Sequence, residues 1–300
     1  MGEAAPVNPY RSERARDAAA ASYDAVLARW PVPFEAGHVE TRFGPTHVIS
    51  CGQIGGSPLV LLHGLGTNST SWFPVVPDLA RRHRVHLVDL IGEPGKSAGA
   101  RPGYRSGAHA AWLDDVFDAL GLKRACVVGL SLGGWIALHF ALAHPARVER
   151  LALLAPASLQ RMRGPMLLRA VVAQVTNRPS LIRGLFRYMA AQDAPVMPEW
   201  AMDDAILRWR AVKPSTIAIP VIDDDELAAL EPPTLLLLGS DDPIYDAARA
   251  AARVRGVAPR IRVEVLPRAG HLFPSQHPWV TSGALLDFFE APGRGLARPA

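Results

Sequence analysis

The chain has 300 residues, of which 49% are hydrophobic and 20% are charged, so it can bury a large core. Its net charge of +4 is mild for this length and argues against a nucleic-acid-binding surface. No apolar run reaches the ~18 residues that a membrane span needs, and the N-terminal stretch lacks the apolar core of a signal peptide. Cys51 and Cys126 each lie in an apolar, strand-like run, so we expect buried free thiols and a cytoplasmic location.

In chain order, residues 1–35 predict a short tail and an amphipathic helix. In residues 36–156, HVETRF and THVISCG predict two strands joined at a turn, and PLVLLHG predicts a buried third strand. A helix from about residue 72 to 82, the strand VHLVDL and the helix GAHAAWLDDVFDALGL follow. ACVVGL, LGGWIALHFALAHP and VERLALLAP then predict a strand, a helix and a strand. Continuous apolar strands that alternate with helices predict a mostly parallel sheet covered on both faces.

Residues 157–231 interrupt this alternation with helical segments rich in Met, Arg, Trp and Pro. A long insertion between two core strands commonly forms a lid over a site, although ordinary helical packing is the alternative. Residues 232–300 resume the alternation with TLLLLG, a helix around AARAAARV, the strand RIRVEVLP and a last helix. We therefore predict a core in two parts with a helical lid between them.

The stretch GEPGKS, residues 92–97, is similar to a phosphate-binding loop, which reads G-x-x-x-x-G-K-S/T. The position five residues before Gly95 is Leu90 rather than glycine. Pro94 has no N–H to offer, and the charge of Glu93 would repel a phosphate. We predict that no nucleotide binds this loop.

The stretch GLSLGG, residues 129–134, follows the strand ACVV and opens a predicted helix. This is the G-x-S-x-G pattern in its expected context, where a sharp turn exposes the hydroxyl of Ser131. Gly129, Gly133 and Gly134 avoid side chains where the strand and the helix pack closely. A glycine-rich turn with an incidental serine is the alternative interpretation.

A nucleophilic serine needs a base and a carboxylate that orients it. His271 follows the strand RIRVEVLP, at the strand end where α/β sheets place their sites, and His277 is its main rival. The acid is expected after TLLLLG, where Asp242 is favoured by its spacing over Asp241 and Asp246. Each of these aspartates has the alternative role of a turn former.

Acyl transfer also requires donors for the negative oxygen of the tetrahedral intermediate. The backbone N–H of Leu132, directly after the serine, is one expected donor. The other is the N–H of Leu65 in the HGLG stretch, where His63 and Gly64 precede it. We expect His63 to brace this loop and not to act as the base.

HGLG, GLSLGG, GSDD and AGH, in this order, resemble the motifs of the α/β-hydrolase superfamily with a serine nucleophile. WPVPFEAGHVETRFGPTHVISCG, VDLIGEPGKS, GLSLGGW and LLLLGSDDPIYD resemble bacterial carboxylesterases of the naproxen-esterase type, over roughly residues 20–290. The resemblance implies an α/β-hydrolase fold with an eight-stranded-type sheet. Relatives of this branch carry a glutamate at the acid position, where this chain has Asp242. Either carboxylate can orient a histidine.

In many relatives the strand VHLVDL is followed by D-x-x-G-x-G-x-S, a turn that shapes the entrance to the serine. Gly92, Gly95 and Ser97 resemble that turn. We expect Asp89 to form hydrogen bonds within the loops and Lys96 to point to solvent.

The expected function is hydrolysis of small-molecule carboxylic esters by Ser131, His271 and Asp242, with no metal or cofactor. A serine-dependent carbon–carbon bond hydrolase, a thioesterase, a lactonase and a ligand receptor with little turnover are the alternatives, and the oligomeric state stays open. Apolar side chains of the lid, with one upstream Trp, could line a substrate pocket or simply pack together. They are Trp72, Met162, Met166, Phe186, Met189 and Trp200.

Overall fold

A computed structural model describes residues 8–157, 159–191, 197–213 and 219–291. The predicted tail before residue 8 lies outside the described residues. The strands are β1 (Phe34–Val39), β2 (Thr46–Gly52), β3 (Ser57–Leu62), β4 (His83–Val88), β5 (Ala125–Leu130), β6 (Val148–Leu154), β7 (Thr234–Gly239) and β8 (Arg262–Leu266). The helices are α1 (Glu13–Leu27), α2 (Val76–Leu79), α3 (Ala108–Ala119), α4 (Leu132–Ala143), α5 (Gly164–Thr176), α6 (Pro179–Met189), α7 (Glu199–Ala211), α8 (Asp224–Ala228), α9 (Ala247–Val257), α10 (Phe273–Gln276) and α11 (Pro278–Glu290).

The strands form one eight-stranded sheet in the order β1-β2-β4-β3-β5-β6-β7-β8. Strand β2 runs antiparallel to β1 and β4, and every other neighbouring pair is parallel. The predicted mostly parallel sheet is therefore confirmed. Because β3, β5, β7 and β8 run in the same direction, the loops that follow them meet at one edge of the sheet.

The first hairpin differs from the prediction, which placed a strand at residues 38–43. Strand β1 begins earlier, and Phe34 pairs with Cys51. The hydroxyl of Thr41 donates to the carbonyl of Gly44, while the backbone and side chain of Arg42 bond to Asp115. These bonds hold residues 40–45 in a turn and keep them out of the strand ladder.

The helix predicted from about residue 72 to 82 is also wrong in extent. The structure has a 3₁₀ turn at Ser69–Trp72 and then only the four residues of α2. Pro74 and Pro77 interrupt this stretch. Each proline lacks a backbone N–H and disfavours a helical conformation in the residue before it.

The central strands are buried on both faces, as continuous apolar runs require. Leu59, Val60, Leu61 and Leu62 of β3 have no exposed surface, and α3 and α4 bring large aromatic side chains such as Trp112 against the sheet. Among the described residues, no helix has both the length and the apolar composition of a membrane span.

Helices α5, α6 and α7 lie in the chain between β6 and β7, and we call this stretch, residues 159–213, the insertion. Most of its buried apolar residues, between Met166 and Ile206, form a cluster separate from the core around the sheet, which we call the insertion cluster. The N-terminal segment contacts it, since Arg11 N–H donates to Ala211 O at 2.8 Å and the Ser22 hydroxyl donates to Asp204 at 2.6 Å. We retain the predicted boundaries of a lid, residues 157–231, as a proposal.

Gly239, the last residue of β7, packs closely against the backbone of the loop after β8. A Cβ at this position would lie 2.2 Å from the carbonyl oxygen of Ala269, whereas a Cβ at Gly283 in α11 would meet nothing within 4 Å. We expect Gly239→Ala to lower the free energy of unfolding by about 1–3 kcal/mol through overpacking. Gly283→Ala should raise it by about 0.5–1 kcal/mol, because alanine favours a helix. Urea denaturation of both variants measures the difference, and equal stability of the two would contradict the close approach.

Candidate active site

Ser131 lies on a sharp turn between β5 and α4. Its backbone has φ 52° and ψ −110°, a region that L-residues other than glycine rarely adopt. The turn is crowded: a Cβ on Gly129 would lie 2.3 Å from Gly133 O, and one on Gly133 would lie 2.2 Å from Leu62 O. A Cβ on Gly134 would lie 2.9 Å from that of Pro156. The glycines are therefore needed because side chains would not fit at these positions. The backbone strain of the turn is located at Ser131, whose φ is positive.

Three backbone hydrogen bonds hold the strained serine in place. Its N–H donates to Leu154 O of β6 at 2.9 Å. Its carbonyl accepts from Trp135 N–H at 3.0 Å and from Ala157 N–H at 3.1 Å. Because these partners belong to β6, α4 and the loop after β6, the position of Ser131 is fixed by the surrounding sheet.

His271 and Asp242 form a buried hydrogen-bonded pair on the loops after β8 and β7. Nδ1 of His271 lies 2.7 Å from Oδ2 of Asp242. The other carboxylate oxygen, Oδ1, accepts from Ile244 N–H at 2.8 Å. A carboxylate can only accept in such a contact, and the histidine tautomer that donates from Nδ1 leaves Nε2 of His271 as the free nitrogen.

The rival residues have other partners. Asp241 is exposed and accepts from the hydroxyl of Ser240, while Asp246 caps α9 by accepting from Arg249 N–H at 2.9 Å. His277 precedes α11, and its Nε2 is buried without a partner among the described residues.

The HGLG loop after β3 lies against the serine turn. A Cβ built on Gly64 would be 3.6 Å from the Cβ of Ser131, and Gly133 N–H donates to His63 O at 3.0 Å. Leu65 N–H has no acceptor among the described residues. Leu132 N–H lies in the first turn of α4, where no intrahelical acceptor exists. Two free N–H donors therefore lie near the serine.

His63 is fully buried and joins two loops. Its Nε2 accepts from Leu90 N–H at 2.9 Å, so its proton lies on Nδ1, which donates to Gly64 O at 3.0 Å. Burial lowers the pKa of His63 to about 4, so the ring is neutral at physiological pH. Both nitrogens are occupied, which leaves none to accept a proton from the serine.

Comparison with known proteins identifies the family. Residues 57–196 match the family model described as alpha/beta hydrolase fold. A Bacillus subtilis protein named uncharacterized carboxylesterase nap is 33% identical over 288 residues, which cover 90% of this chain and 91% of that protein. The chain belongs to the carboxylesterase branch of the α/β-hydrolase family.

Solved structures agree with this assignment. The chain superposes on naproxen esterase (carboxylesterase NP) of Bacillus subtilis with a TM-score of 0.82 at 32% identity, covering 90% of this chain and 96% of that one. Carboxylesterase CesB (YbfK) of the same organism gives 0.84 at 29% identity, covering 93% and 99%. The family resemblance predicted from the sequence motifs is confirmed.

The insertion of this α/β-hydrolase contacts the loop of the buried pair. His271 N–H donates to Met189 O of α6 at 2.8 Å, and Ile244 and Leu272 pack against the insertion cluster. The structure brings together Met166, Phe186 and Met189 of the predicted pocket in this cluster. The other three predicted residues lie elsewhere.

Trp72 is only 1% exposed and belongs to the core around the sheet, so the structure does not bring it to the insertion cluster. Trp200 lies on the surface, where its ring is 5.5 Å from that of Phe73 and 5.6 Å from the guanidinium of Arg29. Met162 is exposed before α5.

The GEPGKS loop is built around the buried carboxylate of Asp89, as the sequence predicts. Asp89 accepts from the N–H groups of Ser69 and Lys96, both at 2.8 Å. Burial alone would raise the pKa of Asp89, but the hydrogen bond with His47, with further help from neighbouring histidines and the Lys96 N–H, lowers it to about 2. The Lys96 N–H, which a phosphate loop would turn towards its ligand, is therefore used within the protein.

The side chain of Lys96 corrects one prediction. It does not point freely to solvent, because its ammonium forms an ion pair with Asp24 of α1 and lies 5.0 Å from the centre of the Tyr23 ring. The sequence could not reveal this contact, since α1 and the loop are 72 residues apart.

Glu93 has a structural role that sequence interpretation missed. Its carboxylate, in a residue only 6% exposed, accepts from Gly66 N–H of the HGLG loop at 2.7 Å. Burial raises the pKa of Glu93 to about 7, although the Gly66 bond and Arg101 oppose this. The sequence showed only a negative charge in an apparent phosphate loop, whereas the structure shows a link between the loops after β3 and β4.

The raised pKa of Glu93 predicts a pH-dependent stability. An unfolded glutamate has a pKa of about 4.3, so the folded state binds the proton more tightly. The stabilising effect of that proton is complete below about pH 4.3 and is lost as the pH rises through about 7. We compare the unfolding temperature of Glu93→Gln with that of the native protein at each pH. We expect the difference to favour the variant more at about pH 8 than at about pH 5.5, because glutamine stays neutral where the native carboxyl loses its proton.

Thermal unfolding at the two pH values measures this relative shift. Glu40→Gln, which changes an exposed carboxylate, is the control and should show the same small effect at both. A Glu93→Gln shift that does not vary with pH would contradict the buried, proton-binding carboxyl.

Proposed function

We propose that this α/β-hydrolase cleaves carboxylic esters through an acyl-enzyme formed on Ser131. The supporting observation is the 2.7 Å hydrogen bond between His271 and Asp242, at the sheet edge where the backbone of Ser131 is strained. A buried His–Asp pair is the arrangement that activates a serine hydroxyl. The similarity to carboxylesterases supports an ester as the substrate class.

In the first half of the proposed reaction, Ser131 Oγ attacks the acyl carbon while His271 Nε2 takes the hydroxyl proton. Asp242 accepts the Nδ1–H bond and stabilises the imidazolium. The N–H groups of Leu65 and Leu132 bind the negative oxygen of the tetrahedral intermediate. His271 then gives the proton to the alkoxide that leaves as the alcohol.

In the second half, water attacks the acyl carbon and loses its proton to Nε2 of His271. The second tetrahedral intermediate collapses, the carboxylic acid leaves, and the proton returns to Ser131 Oγ. The scheme balances without a metal or cofactor. The neutral His63 keeps the Leu65 loop in place throughout, because it forms hydrogen bonds with backbone groups of both loops, at Gly64 and Leu90.

Ser131→Ala tests the nucleophile. We expect kcat for a p-nitrophenyl ester to fall by about 10³-fold or more, because the acyl-enzyme cannot form. Ser57→Ala is the matched control, since Ser57 is exposed at the opposite end of the parallel strands. A fluorophosphonate probe should label Ser131 alone. Turnover by Ser131→Ala at the native rate would overturn the proposal.

A pair of aspartate variants tests the acid. Asp242→Asn should lower kcat by about 10³–10⁴-fold, because the amide no longer favours the correct histidine tautomer. Asp241→Asn, which changes the exposed neighbour, should leave kcat within about twofold. The reverse result would assign the role to Asp241.

A panel of p-nitrophenyl esters of graded acyl length separates an enzyme from a ligand receptor of the same fold. Repeated turnover with at least one ester is expected. One equivalent of p-nitrophenol followed by retention of the acyl product would contradict an efficient esterase and favour a receptor.

A further inference from the structure

Helix α5 of the insertion carries an exposed apolar stripe. Its members share one side of the helix, within about 140° of arc, and their exposed fractions run from 40% for Val172 to 79% for Val175. We call these residues the outer stripe: Leu167, Leu168, Val171, Val172 and Val175. The opposite side of α5 buries Met166 and Ala173 in the insertion cluster. The helix is therefore apolar on two sides, and nothing among the described residues covers the outer one.

The surroundings of the outer stripe are basic. Residues 157–191 contain six arginines and no aspartate or glutamate. Arg183 is ion-paired with α7, but the other five arginines have no carboxylate within 4 Å in the described part of the chain. Arg161 and Arg163 precede α5 and Arg178 follows it, so exposed positive charges flank both ends of the stripe.

This combination favours a lipid surface over a second copy of the chain. A two-fold interface places the same patch against itself, so the arginines would face one another without compensating charge. Thirteen residues form a helix of about 20 Å, which is too short to span a bilayer. A short helix with an apolar side and basic flanks suits the plane of an anionic membrane surface. We propose that the outer stripe of α5 docks on anionic phospholipid.

The docking surface is adjacent to the candidate active site. Arg163 N–H, just before α5, donates to Ile244 O at 2.8 Å, and Ile244 N–H bonds to Asp242. A membrane bound to the outer stripe would therefore lie against the insertion that borders the His–Asp pair. This inference does not depend on the proposed esterase activity, because it concerns binding and not turnover.

Sedimentation of the full chain with vesicles tests the proposal. We expect binding to vesicles of phosphatidylcholine with about one-third phosphatidylglycerol, much weaker binding to phosphatidylcholine alone, and loss of binding at high salt. The double variant Leu168→Ser/Val175→Ser should weaken binding by about tenfold or more, because it removes apolar area from the stripe. Arg163→Gln/Arg178→Gln should weaken it by about tenfold at low salt.

Ile54→Ser is the matched control. Ile54 is 90% exposed in the turn between β2 and β3, at the opposite end of the parallel strands, and its replacement should leave vesicle binding unchanged. Far-UV circular dichroism and thermal unfolding establish that each variant folds. Absence of binding to anionic vesicles overturns the proposal. It is equally overturned if Ile54→Ser weakens binding as much as the stripe variant does. A dimer that dissociates in the stripe variant, without vesicle binding, would assign the stripe to self-association.

Discussion

The close backbone contact between the turn after β5 and the end of β3 is the constraint on which the site depends. Gly133 lies so near Leu62 that a single added Cβ would approach its carbonyl oxygen to 2.2 Å. Because the glycines absorb this crowding, the residue between them takes a positive φ that a serine tolerates only when its neighbours fix it. Hydrogen bonds to β6 and α4 provide that fixing. The strained serine is thus a product of sheet packing.

Buried polar groups perform a similar task for the loops around the serine. His63, Asp89 and Glu93 are each buried, and each accepts a backbone N–H hydrogen bond that joins the loop after β3 to the loop after β4. An unpaired buried N–H is costly, so satisfying these donors from fixed side chains holds the loops in one arrangement. The apparent phosphate loop belongs to this network. The backbone N–H of Lys96 in this loop donates to Asp89, and the carboxylate of Glu93 accepts from Gly66 N–H in the HGLG loop.

The insertion has one side packed against the loops of the candidate site and another side exposed to solvent. Its inner side packs against Ile244 and Leu272, beside the two loops that carry Asp242 and His271. Its outer side exposes the apolar stripe of α5 among arginines. A helix with both sides apolar usually lies inside a larger core. Here one side is left open, and this exposure is the reason to infer a surface partner. The same three helices thereby connect the site with the outside of the molecule.

The sequence by itself determined the alternating strands and helices, the family and the serine turn, because periodicity and close-packed glycines depend on neighbours along the chain. It also selected Asp242 by its spacing and His271 by its place after a strand, but only the tertiary structure brought Nδ1 of His271 within 2.7 Å of the Asp242 carboxylate. The contact of Glu93 with Gly66, 27 residues away, and the ion pair of Lys96 with α1 were decided by the fold. The burial of Trp72, the early start of β1 and the exposure of α5 were decided in the same way. Such features depend on contacts between segments that are distant in the sequence, and local sequence patterns do not specify those contacts.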